Sequence, residues 1–332
     1  MPARRNFILA LAAGALAGPQ HAFSQPSRKL WRLGFLAPAE VSSKSGEVSP
    51  FGMAFLNSMQ AEGHVLGTDF NIEARSAEGD YRRLPALAAE MVRSKVDILI
   101  PISPVAVHAA HKASTTIPIV CIGAHDPVGM KMAASPARPG GNLTGLASFY
   151  GALIPKHFEL LRSLLPKASR VAILVNVGAE ADPAGIGVIL EAAQRLGLHL
   201  QQVRGVTPEE FTLAFADMKR ERAEAMVAVA DAAVVREARL IADLAIRQRL
   251  PTVFASRENV QAGGLMSYGE NFIELFSKAA KYVSKIMKGA RPGDLAIEQP
   301  SKFNLVLNLG TAKVLKLAIP QEIRLRADEL ID

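Results

Sequence analysis

The chain of 332 residues contains a single cysteine, Cys121, so no intramolecular disulfide can form and a two-cysteine racemase mechanism is excluded. Cys121 stands inside the apolar stretch IPIVCIG, where a small buried side chain is its expected role. No cysteine lies near residue 24, which excludes a lipid-modified export signal. No uninterrupted apolar run reaches the roughly 20 residues that a membrane-spanning helix needs. The stretch FILALAAGALAG at 7–18 has 12. Aromatic residues make up only 6% of the chain, while 49% is hydrophobic, a balance that suits soluble α/β layers and not a disordered chain. Enzyme motifs are missing too. Leu265-Met266-Ser267-Tyr268-Gly269 lacks the first glycine of a nucleophile elbow, and Gly185-Ile186-Gly187 runs on without completing a dinucleotide-binding fingerprint.

What is present begins with Arg4 and Arg5, followed by the short apolar run and then Ala22-Phe23-Ser24, small at its first and third positions. Residues 1–24 therefore read as an export signal, of the general secretory or the twin-arginine type, and residues after it as a soluble protein outside the cytoplasm, in the periplasm. Two of the formal +7 charges belong to Arg4 and Arg5, so the rest of the chain carries +5. Those charges are scattered. The densest basic cluster, Lys219-Arg220-Glu221-Arg222, is interrupted by an acid and falls on a helix surface, so no nucleic-acid site is expected.

From Trp31 the chain alternates strands and amphipathic helices: RLGFLAP, a helix near 51–62, FNIEARS, a helix near 82–93, DILIPIS, a helix near 105–113, and IPIVCIG. From Ser169 the same order returns in RVAILVN, a helix near 184–196, LHLQQVRG, a helix near 208–221, AMVAVAD, a helix near 234–248, and LPTVFAS. Such alternation predicts two parallel sheets wrapped by helices, since right-handed crossovers place each helix on a sheet face. The Pro-Gly-Gly of ARPGGNLTG, residues 137–145, marks a turn between the halves. After GGLMSYG a long amphipathic helix near 272–288 leads into FNLVLNLGTAKVLKL, a tail expected to return to the first lobe. The expected division is residues 30–147 with 273–332 as lobe 1, and residues 148–272 as lobe 2.

Polar residues fall at the carboxyl ends of the strands, where open α/β sheets bind ligands. Ser103 precedes Pro104 at a helix start and can cap it, or can join the free N–H groups there in receiving a carboxylate. Asp126 precedes Pro127 and either forms a turn or pairs with a ligand ammonium. Together, those two ligand roles would suit an amino acid or a similar zwitterion. His125 stands beside Asp126. Asn176, Asp231, Ser256 and Arg257 are the corresponding candidates of the second half, and Tyr268 offers a stacking face and a hydroxyl. His108, His111 and His125 invite a metal reading, but zinc needs three or four such groups converging, and two of these lie on a helix over the sheet, so neither metal nor cofactor is expected.

TIPIV followed by DPV, then ARPGGNLTG, AGGLMSYG, EQPSKFNLVLNLGTAKVLKLAIP and LRADELID together resemble the ABC-transporter substrate-binding family that includes tryptophan and tyrosine uptake proteins. The resemblance spans essentially all of the chain after residue 24. It differs at Ile102-Ser103-Pro104-Val105, where many relatives have Gly-Thr-Pro. The resemblance implies an α/β type I periplasmic-binding-protein fold, two Rossmann-like lobes joined by three crossovers, with one small molecule in the cleft. It further implies a non-enzymatic, monomeric protein that delivers its ligand to a membrane permease. A sensory module that presents a bound ligand to a membrane receptor would leave the same marks in the sequence.

Overall fold

The computed structural model describes residues 29–39, 48–148, 153–175 and 183–332. The export-signal expectation and Asn176 lie outside the described residues.

The first half opens with β1 (Trp31–Ala37), α1 (Pro50–Ala61), β2 (Phe70–Ser76), a single 3-10 turn at Tyr81–Arg83 and α2 (Leu84–Arg93). It continues through β3 (Ile98–Pro101), α3 (Pro104–Ala113), β4 (Ile119–Ala124) and β5 (Leu143–Ala147). The second half runs α4 (Ile154–Leu164), β6 (Arg170–Leu174), α5 (Pro183–Arg195), β7 (His199–Val203), α6 (Pro208–Arg220) and β8 (Ala225–Ala228). There follow α7 (Ala232–Arg236), α8 (Ala238–Arg247), β9 (Thr252–Phe254), α9 (Arg257–Gln261) and β10 (Met266–Gly269). The tail comprises α10 (Phe272–Met287), β11 (Ile297–Glu298), β12 (Asn304–Asn308), α11 (Leu309–Val314), α12 (Gln321–Arg326) and β13 (Glu329–Ile331).

Two sheets result, in the orders β11-β5-β4-β3-β1-β2 and β13-β12-β10-β9-β8-β6-β7. All described strand pairs are parallel except β10 with β12. The central strands are buried on both faces, as the runs ILIP, IVCIGA and AMVA require. Helices α1 and α10 cover one face of the first sheet and α2 and α3 the other. In the second sheet α4 and α5 lie over one face, α6 and α8 over the other.

The expectation that residues 273–332 return as a block to the first lobe is corrected. Helix α10 and β11 do belong there: Phe276 stacks on Phe51 of α1 at 5.5 Å between ring centroids, and Ile297 pairs with Gly145. Strand β12 instead pairs antiparallel with β10, Leu305 opposite Tyr268, and β13 adds outside it. Leu305 and Leu307 fill the second lobe's core with Leu265 and Met266, while β11 already occupies the first sheet's edge. Among the described elements the chain thus changes sheets three times, after β5, at 270–271 after β10 and at 299–303 after β11. The helix expected near 234–248 is likewise two, because Asp231 caps and starts α7 early and the chain leaves helical geometry at Glu237.

The stretch ARPGGNLTG sets the edge of the first sheet. Asn142 donates from Nδ2 to the carbonyls of Ser114 and Ile117, at 2.9 and 2.8 Å, which fixes the end of α3 against the start of β5. Gly145, at φ +119°, crosses so close to β4 that a Cβ there would sit 2.4 Å from the Cys121 carbonyl oxygen. Only glycine permits that approach.

Candidate interlobe ligand site

Residues that follow the parallel strands of both sheets meet across one cleft, the place where open parallel sheets expose backbone ends and helix starts, while β12 and β13 run the other way. The end of β5 at Ser148 and the crossings at 270–271 and 299–303 close one side of it. On that hinge side Ser148 Oγ donates to Glu270 Oε1 at 3.0 Å, and Glu270 is only 7% exposed. The opposite side is closed by residues after β2, β7 and β8: Tyr81 donates its hydroxyl to Asp231 Oδ2, and Gly79 lies against Val206.

A cavity of about 450 Å³ adjoins the hinge side, lined by His125, Asp126, Val128, Ala147, Ser148 and Gln299 among others. Its size suits a small molecule. A second hollow of about 540 Å³ runs along Leu30, Arg32 and residues 71–75, on the exposed edge strand β2. Larger though it is, it is a shallow groove away from the strand ends, so the hinge-side cavity is the better candidate.

On the first-lobe wall, β3 leads into Ser103, which adopts φ +91° and accepts from the Ala106 N–H at 3.4 Å, capping α3. An L-residue held there costs on the order of 1–3 kcal/mol. The cost is offset in part by the bond from Ser103 N–H to the Ile122 carbonyl at 3.0 Å. At the end of β4, His125 is half-buried and lines the cavity. Asp126 follows at φ +35°; its Oδ1 accepts from Gly129 N–H at 2.9 Å, and its carboxylate bends back over Gly129. Asp126 therefore shapes the turn and lines the cavity at once.

The second lobe supplies Ser256, 1% exposed at the start of α9 with no capping bond from its side chain to that helix. Asp231 caps α7, Oδ1 accepting from Ala233 and Val234 N–H at 2.7 and 3.3 Å, while Oδ2 takes the Tyr81 hydroxyl. Its carboxylate is thus engaged at the rim. Arg257 does not join the others: it forms a two-point pair with Glu329 of β13, at 2.6 and 2.7 Å, and that pair raises its pKa further. A guanidinium so satisfied has little left for a ligand carboxylate. Tyr268 packs its half-buried ring edge-on to His157, 6.3 Å between centroids, and 6.0 Å from Phe303. Its carbonyl oxygen lies 2.5 Å from His157 Nε2. That nitrogen donates, and burial holds His157 neutral, its pKa pushed down to about 4 against the opposing pull of the Tyr268 carbonyl.

Among the described residues no three His, Cys, Asp or Glu side chains converge as a metal site. His108 and His111 lie on α3, with pKa values lowered chiefly by burial, and His125 belongs to the cleft wall instead. Sequence reasoning missed Tyr81, Ser148, Glu270 and Gln299. Tyr81 and Glu270 each follow a strand end, after FNIEARS and after MSYG, so applying the strand-end rule to every strand would have found them.

With that geometry in view, residues 52–331 match the family model described as ABC transporter substrate binding protein. The chain belongs to that family. A curated tyrosine-binding protein of Clostridioides difficile is 22% identical over 263 residues, 79% of this chain and 75% of the relative. Among solved structures, a conserved domain protein from Vibrio cholerae superposes with a TM-score of 0.77 at 23% identity, covering 91% of this chain and all of the other. A Streptococcus pneumoniae ABC domain in complex with L-Trp gives 0.74 at 19%, with the same coverage. These superpositions show a common fold, that of the periplasmic binding proteins.

Proposed function

We propose that the protein is the extracytoplasmic binding subunit of an ABC importer, holding an amino acid or similar small zwitterion between its lobes for delivery to a membrane permease. The observation that carries this reading is the meeting of residues after strands of both sheets, Ser148 with Glu270 and Tyr81 with Asp231, across one cleft in a chain of the substrate-binding family. Relatives named for tyrosine binding and crystallised with L-Trp favour an amino acid. Ser103, His125 and Asp126 on one wall and Ser256 on the other are the contacts we assign to the ligand. Asp126 meets the ammonium group, and the N–H groups at the start of α3 meet the carboxylate. Export is supported by the family and by residues 1–24. No helix of the described residues is long and apolar enough to cross a membrane. Chemistry is not part of the role, since a binding subunit must release its ligand unchanged.

A thermal-shift screen of the purified protein against the twenty amino acids, small carboxylates, ureas and polyols tests the proposal. A ligand that binds only the folded state adds RT ln(1 + [L]/Kd), about 2.7 kcal/mol at a hundredfold excess over Kd, and raises the melting temperature by several degrees. One or a few amino acids should stand out. Stabilisation by polyols alone would overturn the ligand class, and turnover of the stabilising compound would overturn the binding role.

A further inference from the structure

The rim of the cleft opposite the hinge is built from two preorganised loops. In the first lobe Gly79 N–H donates to the Pro38 carbonyl at 2.7 Å and Asp80 N–H to the Ala77 carbonyl at 3.0 Å, while the Asp80 side chain caps the turn that presents Tyr81. In the second lobe Arg236 Nη2 holds the Val206 carbonyl at 2.6 Å, and Asp231 is fixed by the two N–H groups at the start of α7. Between these loops Tyr81 donates to Asp231. Gly79, at φ +90°, meets Val206 so closely that a Cβ would lie 1.9 Å from Val206 Cγ1.

We infer that Tyr81 and Asp231, seated on the Gly79–Val206 contact, form a latch that holds the lobes closed before any ligand arrives. The acceptor is a carboxylate already immobilised by its capping role, so the bond forms without ordering a free side chain. Gly79 is what lets the loops approach; any side chain there would stand between them. Ligand entry and exit then require the latch to open, and a bound ligand adds its contacts to a closure that exists without it. This goes beyond the transport role, because it concerns the lobes alone and holds for any ligand.

The test uses ligand-free protein with cysteines placed at Ala86 and Leu213, an exposed residue on α2 and one 66% exposed on α6, the helices leading away from the two rim loops. The native Cys121 is 0% exposed, so spin labels attach only at the rim. Distances between the labels should cluster at a short value in the parent. Tyr81→Phe keeps the ring and removes the donor; it should lower the closed-to-open ratio about tenfold, as loss of a hydrogen bond to a charged group does. Gly79→Ala should also lengthen the distances, and Val206→Ala placed behind it should restore part of the short population by making room for the new methyl. A parent distribution dominated by long separations would overturn the latch. So would a Tyr81→Phe distribution that superimposes on the parent, with thermal melting confirming that the variant is folded.

Discussion

The two sides of the cleft are closed by different kinds of interaction. On the hinge side the chain itself crosses, and the crossings are set among buried groups: Ser148 on Glu270, the Tyr268 carbonyl on His157, and α10 locked to α1 through Phe51 and Phe276. On the rim side one tyrosine–aspartate hydrogen bond and one glycine–valine contact join surfaces that no covalent link holds. Breaking the first requires exposing core; breaking the second exposes a few half-buried atoms. Motion that separates the lobes should therefore open the rim and leave the hinge intact, as hinge closure in two-lobed proteins requires. Substitutions on the hinge side should act on stability, and those at the cleft on binding.

The largest effect is expected at Phe276, 3% exposed between α1 and the first sheet. Phe276→Ala should cost about 3–5 kcal/mol in chemical unfolding, the range for truncating a core phenylalanine. It should do so although α10 follows directly on β10 of the second sheet. A cost under about 1 kcal/mol would mean that α10 is not part of the first lobe's core.

Next comes the pH dependence set by His157. Its pKa is about 4 in the fold, against an ordinary value of 6.5. A group depressed in this way takes up a proton more readily when unfolded, so its stability contribution is complete above about pH 6.5 and is lost as pH falls toward 4. The shift corresponds to about 3 kcal/mol. Urea unfolding at pH 7.5 and pH 4.5 should show a loss of that order in the parent. His157→Gln retains a donor for the Tyr268 carbonyl and does not titrate, so it should flatten the difference. An equal pH dependence in both proteins would show that His157 is not the group responsible.

Much of this architecture was legible from periodicity. The strand at 70–76 and the helices starting near 51, 105, 184 and 208 agree with the sequence to within about two residues, because each has its own apolar pattern and start signal. The capping box of Thr207 and Glu210 is an instance. The destination of FNLVLN was not legible: its composition says strand, but whether it pairs beside β5 or β10 depends on which edge is still open after β11 has docked. The site shows the same division. His125 and Asp126 line the hinge-side cavity, and the strand end that carries them is visible in sequence. The pairing of Arg257 is not legible in the same way, because its partner Glu329 lies 72 residues away. Tyr81 was overlooked because its partner Asp231 lies 150 residues away across the cleft.

A smaller effect, confined to binding, is expected at the turn after β4. Asparagine at position 126 keeps an oxygen to accept from Gly129 N–H, so Asp126→Asn should leave the melting temperature within about a degree of the parent. Removing the charge should weaken a cationic ligand by about 1.5–3 kcal/mol in calorimetry with the amino acid identified by the screen. Unchanged affinity would assign Asp126 to the turn alone, and a lower melting temperature would assign it to the fold.

The smallest effect should come from Arg257, and its smallness sharpens the contrast between cleft and periphery. Its pair with Glu329 has good two-point geometry but is 42% and 34% exposed, so solvent screens most of the attraction and the net contribution to stability should be about 0–1 kcal/mol. Arg257→Ala should therefore shift the unfolding midpoint slightly. Glu329→Gln should do the same, and the double variant should cost little more than either, because the two residues act mainly on each other. Ligand affinity should not change in any of the three, since the guanidinium is already held at two points by Glu329 of β13. A loss of binding on Arg257→Ala without a matching loss on Glu329→Gln would return Arg257 to the ligand site. It would also mean that the ion pair is only the resting position of a side chain that turns inward when the ligand's carboxylate arrives.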